Sequence, residues 1–307
     1  MQTAYISHPD CLRHEMGPGH PECPARLGAI QDQLIASGLL PFLQQHDAPL
    51  ATVEQLARVH DRDYIETIRA ATPHEGLVQL DPDTAMNAYT WNAALRAAGA
   101  SVLATDLVMQ GKVDNAFCAV RPPGHHAESA RAMGFCFFNN VAVGAAHAME
   151  QYGLQRVAIA DFDVHHGNGT EQMFHNDARV LLCSTFQHPF YPYNGADSSN
   201  AHIVNVPLPA GSGSNAFRAA VSERWLPALE RFAPQMLFVS AGFDGHLEDD
   251  MAQFALVDAD YAWVTQQLKA VADRHCKGRI VSLLEGGYEL HALGRSALAH
   301  IRELSGL

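Results

Sequence analysis

The densest chemistry in the chain lies in Val157-Ala-Ile-Ala-Asp161-Phe-Asp163-Val-His165-His166-Gly-Asn168-Gly-Thr170. The stretch opens as an apolar run that reads as a buried strand. It then turns acidic and histidine-rich, breaks at two glycines and enters a helical pattern from Thr170. Asp161, Asp163 and His165 are spaced by two, and on an extended backbone such residues point the same way. A carboxylate and an imidazole can therefore converge on one metal ion. Oxygen and nitrogen ligands without a thiol suit catalytic zinc, where three protein ligands leave a position for water. Open α/β sheets collect their chemistry beyond the carboxyl ends of the strands, where these residues fall.

Five other stretches carry residues that could act with them. Arg121-Pro122-Pro123-Gly124-His125-His126-Ala127 directly follows the candidate strand Ala116–Val120. Its prolines stiffen the loop, its glycine permits a tight turn, and it presents two adjacent imidazoles. One imidazole could take a proton from an activated water while the other polarises or protonates. Each needs an orienting acceptor, and Asp161 and Asn168 are suitable in type. In Ser240-Ala-Gly-Phe-Asp244-Gly-His246, Asp244 could complete a two-carboxylate, one-histidine set with Asp163 and His165, or it could only cap a turn or helix. His246 reads as solvated. In Leu284-Glu285-Gly286-Gly287-Tyr288 the paired glycines let the backbone bend and aim Tyr288 at a developing oxyanion, or leave it as packing. In Gly134-Phe135-Cys136-Phe137-Phe138, Phe137 and Phe138 read as core, whereas Phe135 could line an apolar channel, as could Tyr191 in Pro189-Phe190-Tyr191-Pro192. The nucleotide-binding glycine patterns, the nucleophile elbow and the HExxH zinc motif are all absent from the sequence.

These loops need strands and helices to position them. Candidate strands are Thr3–Ile6, Ala116–Val120, Val157–Asp161, Arg179–Ser184, His202–Val206, Met236–Ala241 and Arg279–Leu284. Helical patterns cover Pro24–Ser37, Asp61–Ala71, Asn87–Gln110, Asn140–Tyr152, Ser214–Phe232, Asp258–His275 and Leu290–Leu304. Most of the strands are continuous apolar runs, as expected when helices cover both faces of a mainly parallel sheet. The joins Arg121–Asn139, Gln187–Ala201 and Gly242–Val257 are longer than usual βα connections and fall where a site would be built. No repeat or linker divides the chain, so one domain over residues 1–307 is expected.

The bulk composition narrows the class. The chain has 307 residues, 48% of them hydrophobic and 17% charged, as in an ordinary globular protein. A net charge of −13 disfavours nucleic acid and would draw a cationic substrate such as a basic peptide or a polyamine. None of the six cysteines forms a CxxC pair; Cys118 and Cys183 lie in apolar runs, and the pattern fits a reducing compartment. Neither a signal peptide nor a run of membrane-spanning length is apparent, so a cytoplasmic protein without a membrane partner is expected.

Taken together the motifs resemble the zinc-dependent histone deacetylase family, including its bacterial members and the related acetylpolyamine amidohydrolases. The matching pieces are His20-Pro21-Glu22 with Arg26, Arg121–Ala127, Gly134–Asn139, Asp161–Gly169, Ala241–Asp244 and Glu285–Tyr288, in the family's order and across essentially the whole chain. The resemblance implies a single α/β arginase-like domain with an eight-stranded, mostly parallel sheet. It implies one zinc held by Asp163, His165 and Asp244. His125 would pair with Asp161, His126 would be general base and then acid, and Tyr288 would stabilise the oxyanion. Phe135 and Tyr191 would wall an acyl-lysine tunnel, flanked by Gly134 and Gly286, with Met251 at its rim. Arg26 would belong to an inner channel that passes acetate, and Asp81 or Asp83 would be a rim aspartate holding substrate backbone. Structural potassium or sodium is also implied. One site would use Asp161 with the backbone oxygens of Asp163, His165 and Thr185 and the Ser184 hydroxyl; a second would use backbone oxygens near Phe174, Asp177 and Val180.

Departures from the family pattern refine the expectation. Asn168, where many members carry aspartate, resembles the class II branch, and Tyr191 adds a hydroxyl where phenylalanine is commoner. Glu248-Asp249-Asp250 departs from the usual Asp-Pro. Polyamine-selective relatives tend to carry glutamate where this chain has Met251, which favours an acylated lysine of a peptide or protein, although Glu248 keeps an acetylated polyamine in play. The implied activity is metal-assisted amide hydrolysis that removes acetyl or another short acyl group. A binuclear manganese ureohydrolase would need two bridging-aspartate motifs. A non-catalytic acyl-lysine binding module would lack a ligand or the tyrosine, and none is missing. Ferrous iron could use the same ligands as zinc. No long insertion offers a dimer arm.

Overall fold

The computed structural model describes residues 1–198 and 200–307. Its strands are β1 (Thr3–Ser7), β2 (Gln44–Asp47), β3 (Val78–Asp81), β4 (Thr84–Met86), β5 (Asn115–Cys118), β6 (Val157–Asp161), β7 (Val180–Gln187), β8 (Ile203–Leu208), β9 (Met236–Ala241) and β10 (Ile280–Leu284). Its α-helices are α1 (Ala25–Ala36), α2 (Val53–Leu56), α3 (Arg62–Ala70), α4 (Thr90–Met109), α5 (Asn140–Tyr152), α6 (Asn168–Phe174), α7 (Ser214–Ala220), α8 (Leu226–Phe232), α9 (Asp258–His275) and α10 (Leu290–Ser305). Eight strands form one sheet in the order β2-β1-β5-β10-β9-β6-β7-β8, and every neighbouring pair is parallel. Strands β5, β6, β7, β9 and β10 are buried at every residue, which suits their largely apolar sequences. Helix α4 packs on α5 and against β1, β5 and β10, while α1, α10 and α9 pack in series.

The central strands finish nearly level. Asp161 pairs with Ser240, Ser240 with Leu283, and Leu283 with Cys118. The loops leaving β5, β10, β9 and β6 therefore rise side by side, although the strands are far apart in sequence.

Four parts of the fold differ from the sequence expectation, the first being the four-residue helix α2 (Val53–Leu56), too short to leave a helical pattern. Strand β2 reads Gln-Gln-His-Asp and has no apolar signal; it exists through its parallel pairing with β1 at the sheet edge, and it supplies the eighth strand. The antiparallel hairpin β3–β4 turns through Pro82-Asp83, a cue that turn chemistry offers but hydropathy does not. The single helix expected over Ser214–Phe232 is interrupted by a wider π-turn at Val221–Trp225. Pro227 follows it in the first turn of α8, where a missing N–H costs least. Among the described residues no helix is long and apolar enough to cross a membrane.

Candidate active site

Beyond β6 and β9 the chain delivers Asp163, His165 and Asp244 to one point. Each offers a ligand atom within 4.8 Å of the other two. His165 Nδ1 lies 3.1 Å from Asp163 Oδ1 and 3.2 Å from Asp244 Oδ2. The remaining carboxylate oxygens are held by backbone: Gly286 N donates to Asp163 Oδ2 at 2.8 Å, and Val164 N donates to Asp244 Oδ1 at 3.1 Å. Asp244 Oδ2 is buried and takes no hydrogen bond. A buried carboxylate oxygen without a donor is costly unless a cation takes it. Burial, and then the Asp163 charge, pushes Asp244 up to about 6. Burial also opposes the charge on Asp163, yet His125 and His165 outweigh it and hold that carboxyl low. Two carboxylates competing for positive charge at one buried point are the donor set of a divalent metal, and they fit zinc.

The histidine loop after β5 stands beside this cluster. The rings of His125 and His126 lie 4.1 Å apart. His125 Nδ1 is 3.0 Å from Asp161 Oδ2, and its Nε2 is 3.8 Å from Asp163 Oδ2. Burial works against protonating His125, but Asp163, Asp161 and Glu285 outweigh it and raise its pKa well above the ordinary value. His126 Nδ1 is 2.8 Å from Asn168 Oδ1. The amide is oriented by its own donor, because Asn168 Nδ2 bonds Glu128 Oε1 at 2.8 Å. An amide oxygen only accepts, so His126 carries its proton on Nδ1 and keeps a lone pair on Nε2. Burial, reinforced by His125 and His165, pushes its pKa well down. Adjacent imidazoles are thus driven to opposite charge states, as acid–base pairs require. Glu285 fixes the loop: its Oε2 accepts from Gly124 N at 2.7 Å and His125 N at 3.1 Å, and burial pushes its carboxyl up to about 7.

Tyr288, Phe135, Tyr191, Met251, Gly134 and Asp83 line a cavity of about 140 Å³ together with His126, His165 and Phe190. Phe135 stands edge-on to Tyr288 with ring centres 5.8 Å apart, and Tyr191 edge-on to His126 at 5.3 Å. Phe135 adopts the left-handed backbone region at φ +67°, a strained setting for a bulky residue. The β3–β4 hairpin holds it there: Thr84 Oγ1 accepts from Phe135 N at 3.0 Å, and Asp83 Oδ1 accepts from Gly134 N at 3.1 Å. Burial, and then Asp244, keeps the Tyr288 hydroxyl protonated. The Tyr191 hydroxyl is buried without a partner.

Several expected residues sit differently. Gly286 does not line the cavity; a Cβ there would overlap Asp244 Oδ2, so the glycine serves to bring its amide against Asp163. Of the two rim aspartates, Asp83 reaches the cavity and Asp81 pairs with Arg131 at 2.9 Å. His246 is buried, not solvated, with its Nε2 3.3 Å from Asp258. Arg26 is buried and engaged, donating to Gly287 O at 2.6 Å, to Glu285 O and to Glu22. Ser184 Oγ and Thr185 Oγ1 are buried without hydrogen-bond partners. At the other expected cation site, Phe174 O already accepts from Asp177 N at 3.0 Å and faces His202 Nε2 at 3.2 Å, and Asp177 O accepts from Val180 N at 3.0 Å. Phe190, Glu285 and Asp249 also serve the site although the sequence assigns none of them a role: each lies in a quoted stretch, beside Tyr191, before Gly286 and after Glu248, and only the fold shows what each one touches.

Buried acid–base and metal-ligand groups on the carboxyl edge of a parallel sheet belong to a hydrolytic enzyme. The chain is a member of the histone deacetylase family: the histone deacetylase domain model matches residues 20–304. It is 37% identical over 330 residues to the histone deacetylase-like amidohydrolase of Pseudomonas aeruginosa, covering 100% of this chain and 87% of that protein. It is 36% identical over 333 residues to the polyamine deacetylase HDAC10 of Mus musculus, covering 100% of this chain and 48% of that protein. The crystal structure of the HDA15 HD domain superposes with a TM-score of 0.94 at 35% identity, over 99% of this chain and 88% of the other.

Proposed function

We propose that residues 1–307 act as one catalytic domain that hydrolyses the amide of acetylated, or other short-acyl, lysine side chains in peptides or proteins. One zinc would be held by Asp163, His165 and Asp244. The observation that carries the reading is the buried Asp244 Oδ2, without a hydrogen bond and 3.2 Å from Nδ1 of His165, a residue that lines a narrow cavity together with Tyr288 and His126. Bound there, zinc supplies Lewis acidity toward the acyl carbonyl and lowers the pKa of a water to about 7. His126 takes the water's proton at Nε2, the nitrogen left free by its bond to Asn168. His125, held positive by Asp161 and Asp163, adds positive potential beside the reacting centre. The protonated Tyr288 hydroxyl donates to the oxyanion, a contact of a kind worth on the order of 10²–10³ in turnover. His126 then returns its proton to the leaving amine. Phe135 and Tyr191 hold the aliphatic stem and exclude water, and the acetate leaves past Arg26.

A structural potassium or sodium ion at Asp161, the carbonyls of Asp163, His165 and Thr185 and the Ser184 hydroxyl is supported by the buried, partnerless Ser184 hydroxyl. Six free cysteines, five of them buried, support action in the reducing cytoplasm. An acetylated polyamine is the second reading, supported by the Asp83 carboxylate in the cavity wall and by the relative that bears that name. Glu248 is paired with Arg295 at 2.8 Å and so weighs less toward a cationic substrate.

The deciding experiment is a turnover panel of acetyl-lysine peptides against acetylated polyamines, with metal counted per chain. Acetyl-lysine turnover that a chelator abolishes and zinc restores is the expected result. Preference for acetylated polyamine moves the assignment to the second reading. Two divalent ions per chain, or tight peptide binding with only trace turnover, sinks both.

A further inference from the structure

The loop that carries Tyr288 is pinned along its backbone. Glu285 N donates to Ala241 O and Gly286 O accepts from Phe243 N, each at 3.0 Å, while Gly286 N is tied to Asp163. Arg26 holds the carbonyls of Glu285 and Gly287. The two amides that matter most for the tyrosine, its own and that of Glu289, both donate to one oxygen: Asp249 Oδ2, at 2.6 and 2.9 Å. The other oxygen of the same carboxylate accepts from Met251 N at 3.0 Å. Asp249 is only 5% exposed, and its own amide donates to His246 O at 2.9 Å.

We propose that Asp249 is the positioning residue for Tyr288, an inference that rests on Tyr288 acting as the oxyanion donor. Gly287 sits at φ +116°, a region side chains rarely adopt, so the loop has little local stiffness and its restraint must come from outside. Arg26 restrains the carbonyls before the tyrosine, and Asp249 restrains the amides at and after it. Because the same carboxylate also sets Met251, the cavity wall and the phenol hydroxyl are placed as one unit. Only a group that accepts on both oxygens can do this. An amide in its place offers N–H to one of the two sets of donors, leaving buried N–H groups facing each other.

The test is a double-mutant cycle of wild type, Asp249→Asn, Tyr288→Phe and the pair, with kcat, KM and bound metal measured for each. Asp249→Asn is expected to lower kcat roughly 10- to 100-fold, the scale of a small misplacement of a reacting group. KM should change less than kcat, its shift reporting the Met251 wall, and metal content should hold. In the Tyr288→Phe background the same change should cost nothing further, since the hydroxyl it positions is gone. An equal fold-loss in both backgrounds, or an unchanged kcat in Asp249→Asn, overturns the proposal. If Asp249→Asn does not fold, Asp249→Ser takes its place in the cycle; failure of both to fold makes Asp249 a residue of the fold and equally overturns it. Wild-type turnover in Tyr288→Phe would instead sink the deacylase reading itself, whatever Asp249 does.

Discussion

At the scale of single residues, the charge state of His126 is set by the neutrality of Asn168. The amide oxygen fixes the tautomer without adding negative charge, and burial beside His125 and His165 keeps the ring easy to deprotonate. Asn168→Asp should change that one variable. A carboxylate beside Nδ1 favours the imidazolium, so the pKa of His126 rises and its base form appears only at higher pH. The acidic limb of the kcat/KM profile should therefore move upward in pH, and a pH–rate series on both proteins reads it. A limb that stays in place would remove His126 from the base role. The spacing of His125 and His126 was plain in the sequence; their opposite charge states were not, because those depend on burial and on carboxylates that arrive from β6 and β10.

At the scale of elements, the first turn of α1 and the end of β5 are joined by a buried ion cluster. Glu22 accepts from Arg26 at 3.0 Å and from two nitrogens of Arg121, and His14 Nε2 lies 3.3 Å away. Burial opposes the Glu22 charge, but Arg121 outweighs it and holds the carboxyl well below the usual range. Arg121 also donates to Cys11 O at 2.7 Å, and Arg26 to the tyrosine loop, so the cluster links the amino-terminal segment to the floor of the site. Glu22→Ala would leave two guanidinium groups buried without their counter-charge. Removing one partner of such a pair costs about 3–5 kcal/mol, and urea unfolding should show it as a lowered midpoint with an unchanged slope. A loss under about 1 kcal/mol, the range of an exposed pair, would mean that the cluster is not the link described here.

At the scale of the whole molecule, buried neutral histidines make stability depend on pH. His300 lies between Thr265 Oγ1 at 2.6 Å and Ser282 Oγ at 2.8 Å, and burial lowers its pKa from 6.5 to about 3. His60 accepts from Asn139 N at 2.9 Å, and burial lowers it to about 4. Below pH 6.5 the unfolded chain binds protons at both rings and the folded chain does not. Their contribution is therefore fully present above 6.5 and is lost as pH falls toward 4 and 3, at up to about 1.4 kcal/mol per pH unit for each ring. Between pH 7 and 4.5 the raised carboxyls of Glu285 and Asp244 act in the opposite sense, so the readable effect is the difference between proteins: the denaturant midpoint of His300→Gln should fall less, or rise more, with falling pH than that of the wild type. Equal slopes for the two proteins would contradict the buried neutral state of His300.

Local patterns in the chain determined the parallel α/β class, the strand-end position of Asp161, Asp163 and His165, the tandem imidazoles and the glycine-hinged tyrosine. Each is written within a few neighbouring residues, where hydropathy and side-chain direction act. Tertiary structure alone decided that β5, β10, β9 and β6 stand side by side, that Asp83 and not Asp81 reaches the cavity, that Gly286 backs the ligands and that Asp249 grips the tyrosine loop. Strand β2 belongs with these, since its polar sequence becomes a strand only by pairing. Those facts come from hydrogen bonds and burial between segments distant in the chain, and such contacts leave no periodic trace in the residues that make them.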